Sequence, residues 1–115
     1  MVKTIEITGI DSSGPHPTLI LSDDGSTDAA PGDTVRWTIG LNSGVASITQ
    51  IEDNVTIDIF NPDPVQEDKN LDSSAWSGLI RQDLTLPCEE TYTIHYTQTS
   101  VDGAYRFDPK IQVNS

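Results

Sequence analysis

The chain has 115 residues and carries 18 Asp and Glu against 6 Lys and Arg, a net charge of −12 at pH 7. This length suits one domain with a buried core, and we expect residues 1–115 to form a single domain. The charge excludes nucleic acids and anionic membranes as partners, because both attract clusters of Lys and Arg, and the sequence has no such cluster.

Apolar and polar residues alternate along most of the sequence, and this period of two is typical of β-strands with one buried face. The first alternating run contains Ile5 and Ile7, between Thr and Glu residues. In chain order, the later strands are predicted at Thr18–Ser22, Val35–Ile39, Val45–Ile51, Val55–Ile59, Leu79–Leu86, Tyr92–Tyr96 and Arg106–Val113. The pattern predicts an all-β fold, a single β-sandwich of seven to nine strands.

Residues that favour turns separate these runs. Asp23-Asp24-Gly25 closes one predicted strand and Pro31-Gly32-Asp33 precedes the next, whereas Asn42-Ser43-Gly44 and Asp102-Gly103 are predicted hairpin turns. Asn, Asp and Gly suit such turns because they tolerate positive φ. The one long connection, Asn61 to Ala75, exceeds the ~12 residues above which loops are uncommon and often functional.

Three segments resemble the cupredoxins, a family of Greek-key β-sandwiches. Ala30-Pro31-Gly32-Asp33-Thr34-Val35-Arg36-Trp37 resembles their G-D-x-V-x-W strand, and Thr91-Tyr92-Thr93-Ile94-His95-Tyr96 is similar to the strand before their copper loop. The segment from Gly103 to Val113 is similar to their final strand. The resemblance implies a Greek-key sandwich that, in this family, holds a type 1 copper.

The copper ligands of that family are missing from the matching positions. A type 1 site needs two His, one Cys thiolate and usually an axial Met. Tyr96 stands where the ligand Cys belongs, residues 97–101 and 40–60 contain no His, and Met1 is the only Met. We therefore expect a cupredoxin-like domain without type 1 copper.

The remaining metal-binding residue types are scattered. Cys88 is the only cysteine, so no disulfide forms within the chain, and it is expected to be a small buried hydrophobic residue. Its neighbours Glu89 and Glu90 disfavour a reactive thiolate. His16 and His95 are expected to be solvated, with a transition-metal site that uses both as the alternative.

The long connection contains a partial calcium motif. Asp68-Lys69-Asn70-Leu71-Asp72 matches the D-x-N-x-D opening of a calcium loop, but Ser73 replaces the turn Gly and Leu79 replaces the final Glu. The candidate ligands are Asp63, Glu67, Asp68, Asn70 and Asp72. A second acidic group comprises Asp23, Asp24, Asp28 and Asp33. The alternative for both groups is a hydrated acidic surface that keeps the protein soluble.

Trp76 follows the acidic connection directly. An aromatic residue near a loop tip can stack on a sugar or anchor a protein partner; the alternative is a core residue that seals one end of the sandwich. No nucleophile elbow or phosphate-binding Gly-rich loop is present, so we do not expect an enzyme.

Together these observations predict a non-catalytic binding or interaction module with a protein or carbohydrate partner and no cofactor, unless calcium binds. The alternatives are a small metal-binding protein and a structural subunit of a larger assembly. We expect a monomer, because like-charged copies repel one another. The N-terminal segment MVKTIEITGID has no apolar leader region. The protein is therefore expected in the cytoplasm if Met1 is its natural start, and outside it if a leader has been removed.

Overall fold

The structure, a computed structural model, describes residues 2–14, 17–23, 25–52, 59–61, 63–71, 73–99 and 101–114. Every regular element within these ranges is a β-strand. The eleven strands found there exceed the predicted seven to nine, because several are only two to four residues long. They form a β-sandwich-like fold, and the predicted all-β class is confirmed.

The first layer is a five-stranded sheet in the order β2-β1-β4-β7-β6. Its strands are β1 (Val2–Asp11), β2 (Thr18–Leu21), β4 (Thr34–Ile39), β6 (Val65–Gln66) and β7 (Trp76–Leu79). The long β1 runs parallel to β4, in a register that pairs Val2 with Thr34 and Ile7 with Ile39. The other neighbours in this sheet are antiparallel.

The second layer contains two three-stranded sheets, β10-β9-β5 and β3-β11-β8. Their strands are β3 (Ser26–Ala29), β5 (Val45–Glu52), β8 (Cys88–Thr91), β9 (Thr93–Gln98), β10 (Val101–Phe107) and β11 (Lys110–Val113). Tyr92 alone separates β8 from β9, and Asp108 and Pro109 separate β10 from β11. Because β8 pairs with β11 and β9 with β10, one long, interrupted hairpin links the two sheets.

The alternation seen in the sequence sorts side chains between the core and the surface. Trp37 is fully buried and makes edge-on ring contacts with Phe60 (5.7 Å between centroids) and Tyr92 (5.5 Å). Such geometry is favourable because the positive edge of one ring faces the negative face of another. The residues beside Trp37 on β4, Arg36 and Thr38, are only partly buried.

Three strand predictions have a different outcome. The segment Arg106–Val113 is not one strand, because residues 108 and 109 separate the end of β10 from β11. The segment Leu79–Leu86 is not one strand: β7 ends at Leu79, Ile80 makes a single bridge with Phe60, and residues 81–87 form no strand. Leu84 and Leu86 pack against the core from this irregular segment, so their alternation reflects burial without strand pairing. Most of the predicted strand Val55–Ile59 lies outside the described residues, and its last residue, Ile59, is fully buried.

The turn predictions divide in the same way. Gly25 (φ 84°) and Gly32 (φ 85°) lie in the predicted turns. The segment Asn42-Ser43-Gly44 also turns, but it joins β4 to β5, which belong to different layers, so the predicted hairpin there is wrong. Asp102-Gly103 is not a hairpin turn either: β9 and β10 already pair at Gln98 and Val101, and Gly103 (φ 116°) lies where the register of β10 shifts.

Candidate functional site

The long acidic connection is ordered by its own hydrogen bonds. The Glu67 amide donates to the carbonyl of Ala75 (2.9 Å), and the Asp68 amide donates to Ser74 Oγ (2.8 Å). Asp68 Oδ1 accepts the amide of Asn70 at 3.0 Å, which closes a local turn. The described part of the connection is therefore a folded loop whose backbone is held by hydrogen bonds within the protein.

Glu67, directly after β6, is held by an arginine on β4 of the same sheet. Arg36 on β4 donates through Nε to Oε2 (2.9 Å) and through Nη2 to Oε1 (3.0 Å) of Glu67. This hydrogen bonding raises the pKa of Arg36 above its usual value. Because the pair is bidentate, both carboxylate oxygens are occupied, and Glu67 would have to leave Arg36 to bind a cation.

The predicted calcium ligands are therefore only partly brought together. Glu67, Asp68 and Asn70 lie in one turn, with both carboxylates bonded to the protein, and Asp63 is exposed nearby in sequence. Asp72 lies outside the described residues. In the part of the chain that the structure describes, no three His, Cys, Asp or Glu side chains form a group that could hold a metal ion.

In the second acidic group, Asp23 has a structural role. Its carboxylate accepts the Gly25 amide at 2.9 Å and the hydroxyl of Thr27. The hydroxyl of Thr27 lies near that of Tyr92, which accepts the indole N–H of Trp37 at 3.0 Å. These contacts connect a surface turn to the centre of the core. Burial raises the pKa of Tyr92 strongly, so the phenol stays neutral in the folded state.

Asp33 is also structural, since its side chain is buried at the start of β4. One carboxylate oxygen accepts the Ala30 amide at 3.0 Å. That hydrogen bond lowers the pKa of Asp33 below its usual value. Asp28 is exposed on β3, and Asp24 lies outside the described residues. Asp23 and Asp33 therefore both stabilise the fold through hydrogen bonds within the protein.

Trp76 on β7 ties the two layers together. Its indole N–H donates to the carbonyl of Ile48 on β5 at 3.0 Å, and its ring packs against the core cluster. This contact corresponds to the core-sealing alternative of the sequence analysis. Only part of the ring is exposed, so a partner would meet one portion of a tryptophan that is already fixed.

The residues do not fit the copper centre that the cupredoxin resemblance implies. Tyr96 is fully buried at the position of the family's ligand Cys. Cys88 is buried as predicted, whereas His95, at an alternate position of the same extended segment, lies on the outer face and pairs with Glu52 (Nε2–Oε1 2.9 Å). His16 lies outside the described residues. Buried cysteine and surface histidine are therefore separated by the sheet.

A cleft at the edge of β10 is a feature that the sequence analysis missed. It has a volume of about 400 Å³ and is lined by Pro17, Ala104, Tyr105 and Arg106. The ring of Tyr105 stacks on that of Tyr96, with centroids 5.7 Å apart and planes at 28°. The signal in the sequence was an aromatic residue beside an arginine after Gly103. The pairing of distant segments, which brings Pro17 to this edge, had no signal.

No protein-family model matches the chain, and no curated protein matches its sequence. The cupredoxin resemblance therefore depends on the three short segments quoted above, to which the structure adds a β-sandwich-like fold. The described residues contain no helix long and apolar enough to cross a membrane.

Proposed function

We propose that the chain is a non-catalytic binding module, a cupredoxin-like β-sandwich without type 1 copper, which presents acidic loops to a cationic protein partner. The proposal assigns the exposed carboxylates of the long acidic connection to the partner surface. Trp76 contributes the exposed part of its ring beside them.

The proposal is supported by the ion pairs that the few Lys and Arg residues form. Among the described residues, three of them pair with carboxylates of the chain itself: Arg36 with Glu67, Arg81 with Asp83 (2.8 Å), and Lys110 with Glu89 (3.7 Å). These pairs leave the excess negative charge uncompensated. Such a field attracts basic partners and accelerates their association at low ionic strength.

The exposed carboxylates of the long acidic connection supply part of this negative charge, and they lie where the backbone is ordered. Asp63 and Asp68 are exposed, and the hydrogen bonds around Asp68 fix the direction of its carboxylate. A preorganised anionic surface loses little conformational entropy when a partner binds. Leu71, also exposed in this loop, adds an apolar contact.

The test is titration with a lysine-rich peptide, followed by calorimetry at low and at moderate salt. The double variant Asp63→Asn/Asp68→Asn keeps an amide oxygen that can accept the Asn70 N–H at position 68. It is compared with Glu6→Gln/Asp28→Asn, which removes the same charge from exposed positions on β1 and β3. We expect the loop variant to weaken binding more than the control, and salt to weaken binding to all forms. Equal losses in the two variants, or no binding at low salt, would contradict the proposed surface.

Calcium binding at the same loop is the second candidate, favoured by the Asp68–Asn70 turn that the D-x-N-x-D pattern predicted. Thermal melting with calcium, with magnesium and with a chelator distinguishes it. A specific site shifts the midpoint with calcium more than with magnesium at equal concentration. Equal shifts would show only general screening of the negative charge.

A further inference from the structure

The cleft beside β10 lies at an open edge of the second layer. β10 pairs with β9 on one side, and within the described residues its other edge has no strand partner. Pro17, just before β2 of the first layer, forms the opposite wall of the cleft. With a volume of about 400 Å³, it is larger than the cavities beside Cys88 (260 Å³) and Arg81 (240 Å³). This size lies within the range of small-molecule sites.

Arg106 brings unused hydrogen-bond donors to this cleft. Its side chain is exposed, and it makes no ion pair or hydrogen bond with the described residues, unlike Arg36 and Arg81. A guanidinium has five N–H donors in a fixed plane. In a chain with this excess of carboxylates, an arginine at a cleft that pairs with none of the described residues is available for a ligand.

Tyr96 supports the wall of this cleft from behind. Its ring is fully buried and stacks on that of Tyr105, which lines the cleft. The hydroxyl of Tyr96 is buried and lies close to the side chain of Gln98, but outside hydrogen-bond geometry. The stack therefore holds the Tyr105 ring in place at the cleft wall.

We propose that this cleft binds a neutral saccharide. The ring of Tyr105 offers an apolar surface to a sugar ring, and Arg106 donates to sugar oxygens. A saccharide suits these groups because each of its hydroxyls both donates and accepts. An anionic ligand is disfavoured because the field of a protein with charge −12 repels it.

The experiment is an NMR titration of the ¹⁵N-labelled protein with four neutral probes, cello-, xylo-, manno- and maltohexaose, and with trigalacturonate as the anionic comparison. We expect saturable shifts at the amides of residues 103–106 and of Thr18 with at least one neutral probe. Arg106→Gln should weaken binding about tenfold, the value of one or two hydrogen bonds to a charged donor.

Two controls separate this site from general effects. Arg81→Gln removes the same charge at another cavity, and Asp63→Asn/Asp68→Asn alters the acidic connection; both should retain saccharide binding. Since the two sites share no residue, failure here does not bear on the cationic partner. The proposal is overturned if no neutral probe gives saturable shifts at millimolar concentration, if only trigalacturonate binds, or if Arg106→Gln binds as tightly as the unaltered protein.

Discussion

Tyr92 and Tyr96 are buried and lie four residues apart in the same extended segment. Removing the hydroxyl oxygen from each in turn compares the effect of the same chemical change in two environments. Tyr92 and Tyr96 are 1% and 0% exposed. The hydroxyl of Tyr92 accepts the indole N–H of Trp37 at 3.0 Å, whereas that of Tyr96 lies near the Gln98 side chain but outside hydrogen-bond geometry. Substitution by Phe deletes the hydroxyl and preserves the ring in both cases. We expect opposite effects on stability.

The magnitudes follow from the state in which each change leaves the core. Tyr92→Phe leaves the Trp37 N–H buried and unpaired, which costs about 1–3 kcal/mol. Tyr96→Phe removes a buried hydroxyl that lacks a well-formed hydrogen bond, which relieves a penalty of about 1–2 kcal/mol. The free energies of unfolding of the two variants should therefore differ by about 2–5 kcal/mol. For a chain of this length, each kcal/mol corresponds to roughly 4 °C in Tm.

The assay is urea unfolding at pH 7, with thermal melting as a second measurement. The two variants are controls for each other, because the chemical change is identical. The reasoning is refuted if Tyr96→Phe is destabilised as much as Tyr92→Phe, or if Tyr92→Phe is as stable as the unaltered protein. Equal m-values are required, since a changed slope indicates a different unfolded or native ensemble.

Three further predictions concern stability. The pKa values of Tyr92 and Tyr96 are raised above 10.0 by burial. The stability that comes from keeping these phenols neutral is therefore complete below pH 10 and is lost as the pH rises above it. In urea unfolding from pH 8 to pH 11, the free energy of unfolding of Tyr96→Phe should fall less steeply than that of the unaltered protein. The pKa of Asp33 is lowered below 3.8, chiefly by the hydrogen bond from the Ala30 amide. The contribution of this carboxylate to stability is therefore present above pH 3.8 and is lost on acidification. Asp33→Asn should lower the free energy of unfolding by about 1–2 kcal/mol at pH 7 and by less in acid, and equal losses at both pH values would contradict this. A Cβ at Gly40 would lie 2.6 Å from the carbonyl oxygen of Ile7, so Gly40→Ala should lower the free energy of unfolding by about 1–3 kcal/mol. Gly25→Ala is the control: Gly25 has open space around it and a φ of 84°, so this variant tests backbone strain alone. If Gly40→Ala left the melting temperature unchanged, the close approach would be contradicted.

The core could be predicted from the sequence because its signal is local. Alternation places every second residue on one face, and Ile5, Ile7, Val35 and Trp37 are all buried as that period requires. The same signal fails for Leu84 and Leu86, which pack inward from an irregular segment. Periodicity reports which side chains are buried, but not whether the backbone between them pairs with another strand.

The short strands and the cleft depend on contacts between distant segments. β6 has two residues and exists because Val65 and Gln66 lie opposite Ser77 and Trp76. The turn at Asn42–Gly44 has the composition of a hairpin, yet it crosses between layers, because β4 pairs with β1 and β7 and leaves β5 to join β9. No local pattern specifies those choices, and Pro17 meets β10 only as a result of them.

The acidic residues show why composition alone misjudges the candidate site. The sequence groups them by proximity, but the structure divides them by what their oxygens bind. Asp23 and Asp33 accept backbone amides within turns, and Glu67 is held by Arg36, so replacing any of these alters the fold before it alters a surface. Asp63 and Asp28 are exposed and bear charge toward solvent. A test of partner binding is therefore informative only when it changes the exposed carboxylates and leaves the structural ones intact. In a variant that lacks a structural carboxylate, binding could be lost through unfolding as readily as through a lost contact.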